Sequence, residues 1–476
     1  MKEFAIIGGG IGGCATAALL NVQGHNVVLL EKEPYLGGCA STFSHRTHRY
    51  NTGATTISGC HEDGVVKALF DKVGVRPRLI PTDPGIVIIQ GRKQIARYSE
   101  IEHFLSELQQ AHPHPGHSEF WHLVQSICEA FYTMQMPYYS NASVLKKVIS
   151  LFSFSPLLKK FWPYLHGNAR AFIEEFYKDV TPEYRDFLDA QIMIVAQDSS
   201  EKVNFFTAAL ALGYTFKQTH YPLGGMGNVC DTLTSKLKDR RSSCEVNKVE
   251  RRKDRYLLHT AKEIIEAENI IMGTSHYESK QWFEDKQITS YYKRYEKRNN
   301  HQSAFVLYLR LRSHKSFHHH YQLIAKEKLP YTLSKALFVS FSDPADTQMS
   351  ADGHYSITAS IHTDTRFWSA LEPFAYKAQK KSLQELLKTW ICDTLCIDFD
   401  DIVDAFSATP HTFGRYLNRT QLGGNALNTD NLLPFLPSND TPIAGFYQVG
   451  DTAYAAQGWP GVVMGAMNLS RLLNDA

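Results

Sequence analysis

The stretch Phe4-Ala5-Ile6-Ile7-Gly8-Gly9-Gly10-Ile11-Gly12-Gly13 decides the fold class. An apolar run short enough for one buried strand enters a Gly-x-Gly-x-x-Gly spacing, and Cys14 to Val22, rich in Ala and Leu, continues as a helix. Gly24 ends that helix, and Val27 to Leu30 reads as a second strand. The product is one βαβ unit. Gly8 permits the tight turn, Gly10 lets the backbone approach a pyrophosphate, and Gly13 allows helix and strand to touch, with Ile11 and Gly12 between them in the loop. Glu31, at the end of the second strand, is placed to accept hydrogen bonds from adenosine ribose hydroxyls, and its charge disfavours a 2′-phosphate. A bare glycine spacing is weak evidence. The strand before it, the helix after it and the acid beyond it together predict a dinucleotide site.

That unit suits NAD and FAD alike, so the choice rests on two further segments. Glu31 leads into Lys32 and then Leu36-Gly37-Gly38-Cys39-Ala40-Ser41-Thr42, followed by Tyr50-Asn51-Thr52-Gly53-Ala54-Thr55. Backbone amides in such glycine and small-residue turns hold phosphate oxygens or lie against a flat ring. Near the far end, Gln448-Val449-Gly450-Asp451-Thr452 reads as a strand ending in Gly-Asp, which sets a carboxylate near ribityl hydroxyls. Gln457-Gly458-Trp459-Pro460-Gly461-Val462 then opens a helix, Val463 to Leu473, whose first N–H groups and positive dipole point at the flavin. Negative charge gathering at the flavin N1/O2 on reduction is stabilised there. The expected cofactor is FAD.

Length and composition bound the rest. A chain of 476 residues exceeds one ordinary core, which argues for two intertwined domains. Lys+Arg and Asp+Glu nearly cancel, 50 against 48, so no whole-molecule field draws nucleic acid or an acidic partner. The opening Met1-Lys2-Glu3 lacks the basic and apolar regions of a secretory leader. No run approaches the ~20 apolar residues needed to cross a bilayer. The expectation is a cytoplasmic protein, any membrane contact being peripheral. The eight cysteines show no paired Cys-x-x-Cys spacing, which suits reduced thiols rather than a disulfide frame or zinc site. His314, His318, His319 and His320 crowd one segment after a strand without the partners of a built metal site, so they read as a loop or strand edge and no metal is expected.

Further strands are expected near Ile86–Gln90, Ala304–Leu311, Ala336–Phe341 and His354–His362, and helices within 100–135, 168–200 and 370–396. The class is α/β or mixed α+β. Arg415, Tyr416 and Arg419, just before Gly423-Gly424, either face the flavin or substrate entrance or form structural salt bridges.

Gly8–Gly13 with Glu31, Leu36–Phe43, Tyr50–Gly59, Phe187–Gln191, Tyr221–Met226 and Gly450–Val462 together span almost the whole chain. Through them the sequence resembles the phytoene desaturase and carotene isomerase group of the amine-oxidase-like flavoproteins, in particular the carotenoid C-3′,4′ desaturases. The flavin motifs at the two ends are specific for the superfamily, and the central segments point to the polyene branch. Cys39 and Asn51 depart from the pattern, standing where many relatives carry Arg or Lys and Asp.

The resemblance implies an FAD-dependent oxidoreductase acting on a lipophilic polyene, by phytoene-desaturase-type dehydrogenation or by cis-trans isomerisation. It also implies a discontinuous Rossmann-type FAD-binding domain with a ββα-type parallel sheet (residues 1–79, 213–284 and 406–476). A mixed α+β substrate domain (80–212 and 285–405) would complete the molecule, and Val246 would lie in a strand beside the cofactor. The stretch 144–162 sets an apolar middle, Leu151-Phe152-Ser153-Phe154, between Lys146-Lys147 and Lys159-Lys160. It reads either as an interfacial membrane helix or as an ordinary amphipathic helix. Competing readings are an amine-oxidase-like flavoprotein oxidase acting on an amine or other soluble small molecule, and a non-catalytic lipid carrier. No motif places a carboxylate or histidine beside a reacting carbon, so catalytic residues, like oligomeric state, stay unassigned.

Overall fold

The periodicity of the N-terminal segment translates directly into structure. In the computed structural model, Lys2–Ile7 and Val27–Leu30 pair in parallel from Phe4↔Val27 to Ile7↔Leu30, joined by the helix Ile11–Val22. Val27–Leu30 is buried throughout, which is why it reads as an unbroken apolar run instead of an alternating one. The structure describes residues 1–476 except 133–136, 140, 142–147, 149, 151, 351–352, 430, 432–435 and 475–476.

Distant segments complete this first sheet. Ile264–Met272 runs parallel to the other edge of Lys2–Ile7, and Phe446–Gln448 pairs with its last three residues. Arg240–Arg241 adds to Val27–Leu30. The sheet is not wholly parallel, because Val246–Arg251 and Tyr256–Thr260 form an antiparallel hairpin against the first half of Ile264–Met272. Helices Ile11–Val22, Val65–Val73 and Gly458–Asn474 cover one face through Leu19, Leu69 and Val463. Helix Lys286–Glu296 covers the other through Ile288, Tyr291 and Tyr292.

The second sheet runs in the order Ile402–Ala408, Gln302–Arg312, His354–Asp364, Ala336–Phe341, His320–Ile324, Ile86–Gln90, Lys93–Arg97. All its pairings are antiparallel except that of His320–Ile324 with Ile86–Gln90. Phe305, Leu307, Leu337 and Ile361 pack on the helix Pro373–Leu395 through Leu383, Leu387 and Ile391. A helical layer closes the far end around Phe104, Trp121 and Phe187. The helical stretches expected within 100–135 and 168–200 each divide in two. Pro113, Pro115 and Gly116 separate Ile101–Ala111 from His117–Tyr132, and Thr181-Pro182 restarts the chain after Ala169–Tyr177.

Two expected domain divisions shift toward the C-terminus. Lys286–Glu296 packs on the first sheet although it follows the division at 284, and Ile402–Ala408 crosses the one at 405 to pair with Gln302–Arg312. An amphipathic period shows that a face is buried but not against which sheet. Within 144–162, residues 144–147, 149 and 151 lie outside the described residues. Beyond them, Ser155–Leu165 is a helix that buries Leu157 and Phe161 and exposes Leu158 and Trp162, with Phe152 exposed just ahead of it. Among the described residues, no helix is long and apolar enough to cross a membrane.

Candidate active site

A cleft of about 640 Å³ runs from the glycine loop to the inner face of the second sheet, well within the size of small-molecule sites. Its walls follow from the loop. Gly8 turns at φ 102°, and a Cβ on Gly13 would lie 2.0 Å from the Gly8 carbonyl oxygen. Gly13 therefore serves the helix–strand contact and does not itself line the cleft, whereas Gly8, Gly10, Ile11 and Gly12 do. Glu31 Oε2 accepts from the Gly9 N–H at 2.7 Å and Oε1 from the Glu33 N–H at 2.8 Å. Burial raises its pKa, and these two amides oppose the rise. Each oxygen keeps a lone pair for a ribose hydroxyl. Lys32 bridges to the facing segment, donating to the Arg415 carbonyl at 3.0 Å and to Asn418 Oδ1 at 2.8 Å.

The second glycine turn brings Gly38, Cys39 and Ala40 to the cleft, and the following turn brings Gly53, Ala54 and Thr55. Ser41 stays behind them, its hydroxyl 2.6 Å from that of Thr52, and so ties the two turns together. Burial pushes the Cys39 thiol up to about 11, against the pull of Arg419, so it stays protonated at neutral pH. Asn51 also stands behind the cleft. Its Oδ1 accepts from the Met226 N–H at 2.9 Å, at the start of the helix Met226–Leu233, and from Thr42 Oγ1 at 2.8 Å.

From the C-terminal segment, Gly450, Asp451, Gly458, Pro460, Gly461 and Val462 line the cleft, and Val246 lines it from the hairpin. Asp451 is paired: its two oxygens lie 3.0 and 3.2 Å from Arg419 Nη1. Burial alone would weaken the Arg419 charge, but Asp451, with Cys39 and Glu278, outweighs it and raises the pKa. Of the three residues before Gly423-Gly424, Arg419 and Tyr416 line the cleft and Arg415 does not. Arg419 thus supplies a cation close to Cys39. Sequence reasoning missed Gly273, Thr274 and Ser275, which line the cleft at the end of Ile264–Met272. The available signal was positional: the carboxyl ends of parallel strands border such crevices.

Beyond the glycine turns the cleft widens between two unlike walls. Phe131, Ile194, Val195, Leu210 and Leu427 form an apolar side. The second sheet contributes Val306 and Phe338 together with His320, Ser340, Thr358, Ser360 and His362. Among the described residues, no group of three or more His, Cys, Asp or Glu side chains is gathered to hold a metal.

The cleft fits FAD by its own chemistry. It has an open glycine loop at a helix start, an acid at the end of the second strand, a buried cation and a second helix start. A Cβ on Gly12 would come within 3.0 Å of the Gly450 amide, so only glycine lets the two loops close on one another. A Rossmann-type sheet assembled from separate stretches of chain, opening on a second sheet through one cleft, defines the FAD-dependent oxidoreductase class. Residues 6–73 match the family of NAD(P)-binding Rossmann-like domains. The chain is 24% identical over 492 residues to a chloroplastic prolycopene isomerase of Daucus carota, spanning 95% of this chain and 77% of that protein. It is 23% identical over 272 residues to a carotenoid 3,4-desaturase of Haloarcula japonica, spanning 54% of this chain and 52% of that one. A redesigned putrescine oxidase superposes with a TM-score of 0.66 at 12% identity, covering 100% of this chain and 99% of that chain, a likeness of fold. The chain is therefore similar to the carotene isomerases and carotenoid desaturases, as its motifs imply.

Proposed function

We propose that the chain binds FAD along this cleft and acts on a lipophilic polyene of carotenoid type, by dehydrogenation or cis-trans isomerisation. The observation that carries the reading is the continuity of the glycine-lined cleft with a chamber whose helical wall, Phe131, Ile194, Val195, Leu210 and Leu427, is apolar. The names of the two relatives support the same substrate class. Gly10, Ile11, Gly12, Gly38 and Arg419 would hold the pyrophosphate, Glu31 the adenosine ribose, and Val246 the adenine side. Gly53, Ala54, Thr55 and the helix start Pro460-Gly461-Val462 would border the ring. Bound FAD supplies the capacity to accept a hydride equivalent from an allylic carbon. The protein's part is to exclude water, hold the chain extended and bring one carbon to the ring.

A soluble polyene pool is negligible in water, so such an enzyme gains from collecting its substrate at a lipid surface. Phe152, Leu158 and Trp162, exposed beside Lys159 and Lys160, have the composition for peripheral contact. The soluble-amine reading rests on fold likeness, and the apolar wall does not favour it.

The test is the absorption spectrum of the purified protein, the released cofactor identified by mass, and polyenes offered in liposomes. Flavin bands near ~370 and ~450 nm that bleach with dithionite are expected, together with a changed polyene spectrum. A protein that takes up no FAD when given an excess sinks the proposal. One that takes up FAD but oxidises only soluble amines moves it to the other branch.

A further inference from the structure

His320 was unassigned by motif, yet the fold sets it at the start of the strand His320–Ile324 with its side chain on the cleft wall. Its Nδ1 lies 2.6 Å from Ser340 Oγ, and Ser340 Oγ lies 2.8 Å from Thr55 Oγ1. Thr55 belongs to the turn proposed above to border the flavin ring. His320 and Ser340 are directly paired in the sheet register, which fixes this contact by backbone geometry and not by a flexible side chain. A hydroxyl both accepts and donates, so one arrangement satisfies the whole row. Nδ1–H donates to Ser340, Ser340 donates to Thr55, and the lone pair stays on Nε2. Among the described residues Nε2 has no hydrogen-bond partner.

We propose that His320 is the catalytic proton acceptor of a dehydrogenation, with Ser340 as its positioning residue and Thr55 as the next step of a proton path. The inference rests on the polyene reading and deepens it by choosing dehydrogenation over isomerisation. Bound FAD would supply the oxidant, accepting a hydride from one C–H bond of a saturated CH2–CH2 pair. The neighbouring C–H gives its proton to Nε2, and the electron pair of that bond becomes the new C=C. Two hydrogens leave the polyene, and the proton moves on from Nδ1 through Ser340. Burial holds the imidazole neutral, with a pKa near 3, so it is free to accept at any ordinary pH. Weak basicity is no obstacle, because a carbon beside a developing carbocation is a very strong acid.

The other titratable side chains of this chamber suit the role less. His362 also lines it, but its Nδ1 is buried with no partner among the described residues, so nothing fixes its tautomer or carries a proton onward. Burial pushes the Tyr214 hydroxyl up to about 12, which keeps it protonated.

The experiment uses the FAD-loaded protein, without oxygen, and an acyclic carotenoid in liposomes whose conjugated run ends beside a CH2–CH2 pair. Wild type should bleach its flavin as the polyene band moves to the red. His320→Ala should keep its FAD and still bind the polyene, but bleach ~100–1000-fold more slowly, and added imidazole should restore roughly tenfold. Ser340→Ala should lose less, with Ser340→Thr recovering it. Independently of turnover, diethyl pyrocarbonate should carbethoxylate His320, mapped by mass, and bound polyene should shield it. His320→Ala at the wild-type rate, a loss imidazole does not repair, or an unshielded His320 overturns the proton acceptor and leaves the polyene reading intact. Isomerisation without bleaching does the same. A wild type that binds FAD and alters no polyene removes both.

Discussion

Arg419 and Asp451 meet at 3.0 Å inside the cleft, each largely removed from water. Removing one member of such a pair leaves a charge without compensation, so Arg419→Met should do more than delete a contact. Loss of a charge-assisted hydrogen bond of about 1.5–3 kcal/mol corresponds to FAD affinity lower by ~10–100-fold, read by flavin fluorescence titration. Arg419→Lys should recover part of it, since a point charge replaces a planar fork. Unchanged affinity in Arg419→Met would assign the pyrophosphate cation elsewhere. Gly13 offers a contrasting case. An added Cβ meets the Gly8 carbonyl at 2.0 Å, and backbone cannot step aside as a side chain can. Gly13→Ala should therefore lose bound FAD and melt lower by several degrees, an overpacking cost of ~1–3 kcal/mol. These two residues also mark the limit of legibility. Gly13, set against Gly8, and Glu31, set against Gly9, answer demands made within the first βαβ unit. The position of Arg419 beside Asp451 and Cys39 exists only once distant segments have folded together.

Strands and helices repeat the point one level up. Ile86–Gln90 and Ala336–Phe341 stand where their patterns put them. A period of two sorts residues into faces, but it does not say whether the polar face meets bulk water or a cavity. Ser340, Thr358, Ser360 and His362 are ordinary solvent-side residues by pattern and chamber wall by topology. The histidines at 318–320 illustrate the same limit, because only strand pairing turns His320 toward Ser340. For the helix Ser155–Leu165 the unsatisfied face can be tested directly. Phe152 and Trp162 would each contribute about 1.5–3 kcal/mol if fully buried in a lipid surface. Phe152→Ser combined with Trp162→Ser should then lower flotation with anionic liposomes by ~10-fold or more while leaving the flavin spectrum and melting temperature unchanged. Equal flotation of the double variant would put the lipid contact, if there is one, on another face.

At the scale of the whole molecule the two sheets are interleaved in sequence. Residues 2–30, 240–272 and 446–448 build the first, while 86–97, 302–364 and 402–408 build the second. Neither sheet forms without chain from both sides of the other, so the two lobes should unfold together, and one transition should report on buried groups in both. Three histidines whose pKa values are pulled far down make this measurable. His276, between Thr452 and Tyr291, and His320 have pKa values pulled down to about 3 by burial, and His362 is pulled down to about 4. Their ordinary value is 6.5. The folded value lies below the unfolded one, so the unfolded chain binds more protons between the two. Stability is fully present above about pH 6.5 and is lost as the pH falls through the window toward 3–4. At pH 5 these groups should take up close to three protons on unfolding, read by calorimetry in buffers of different ionisation enthalpy, whereas between pH 8 and 9 they should contribute none. His276→Gln should reduce the uptake by about one while leaving the cleft histidines in place. Two separate transitions, with His276 and His320 reporting in different ones, would show that the lobes fold apart despite their shared chain.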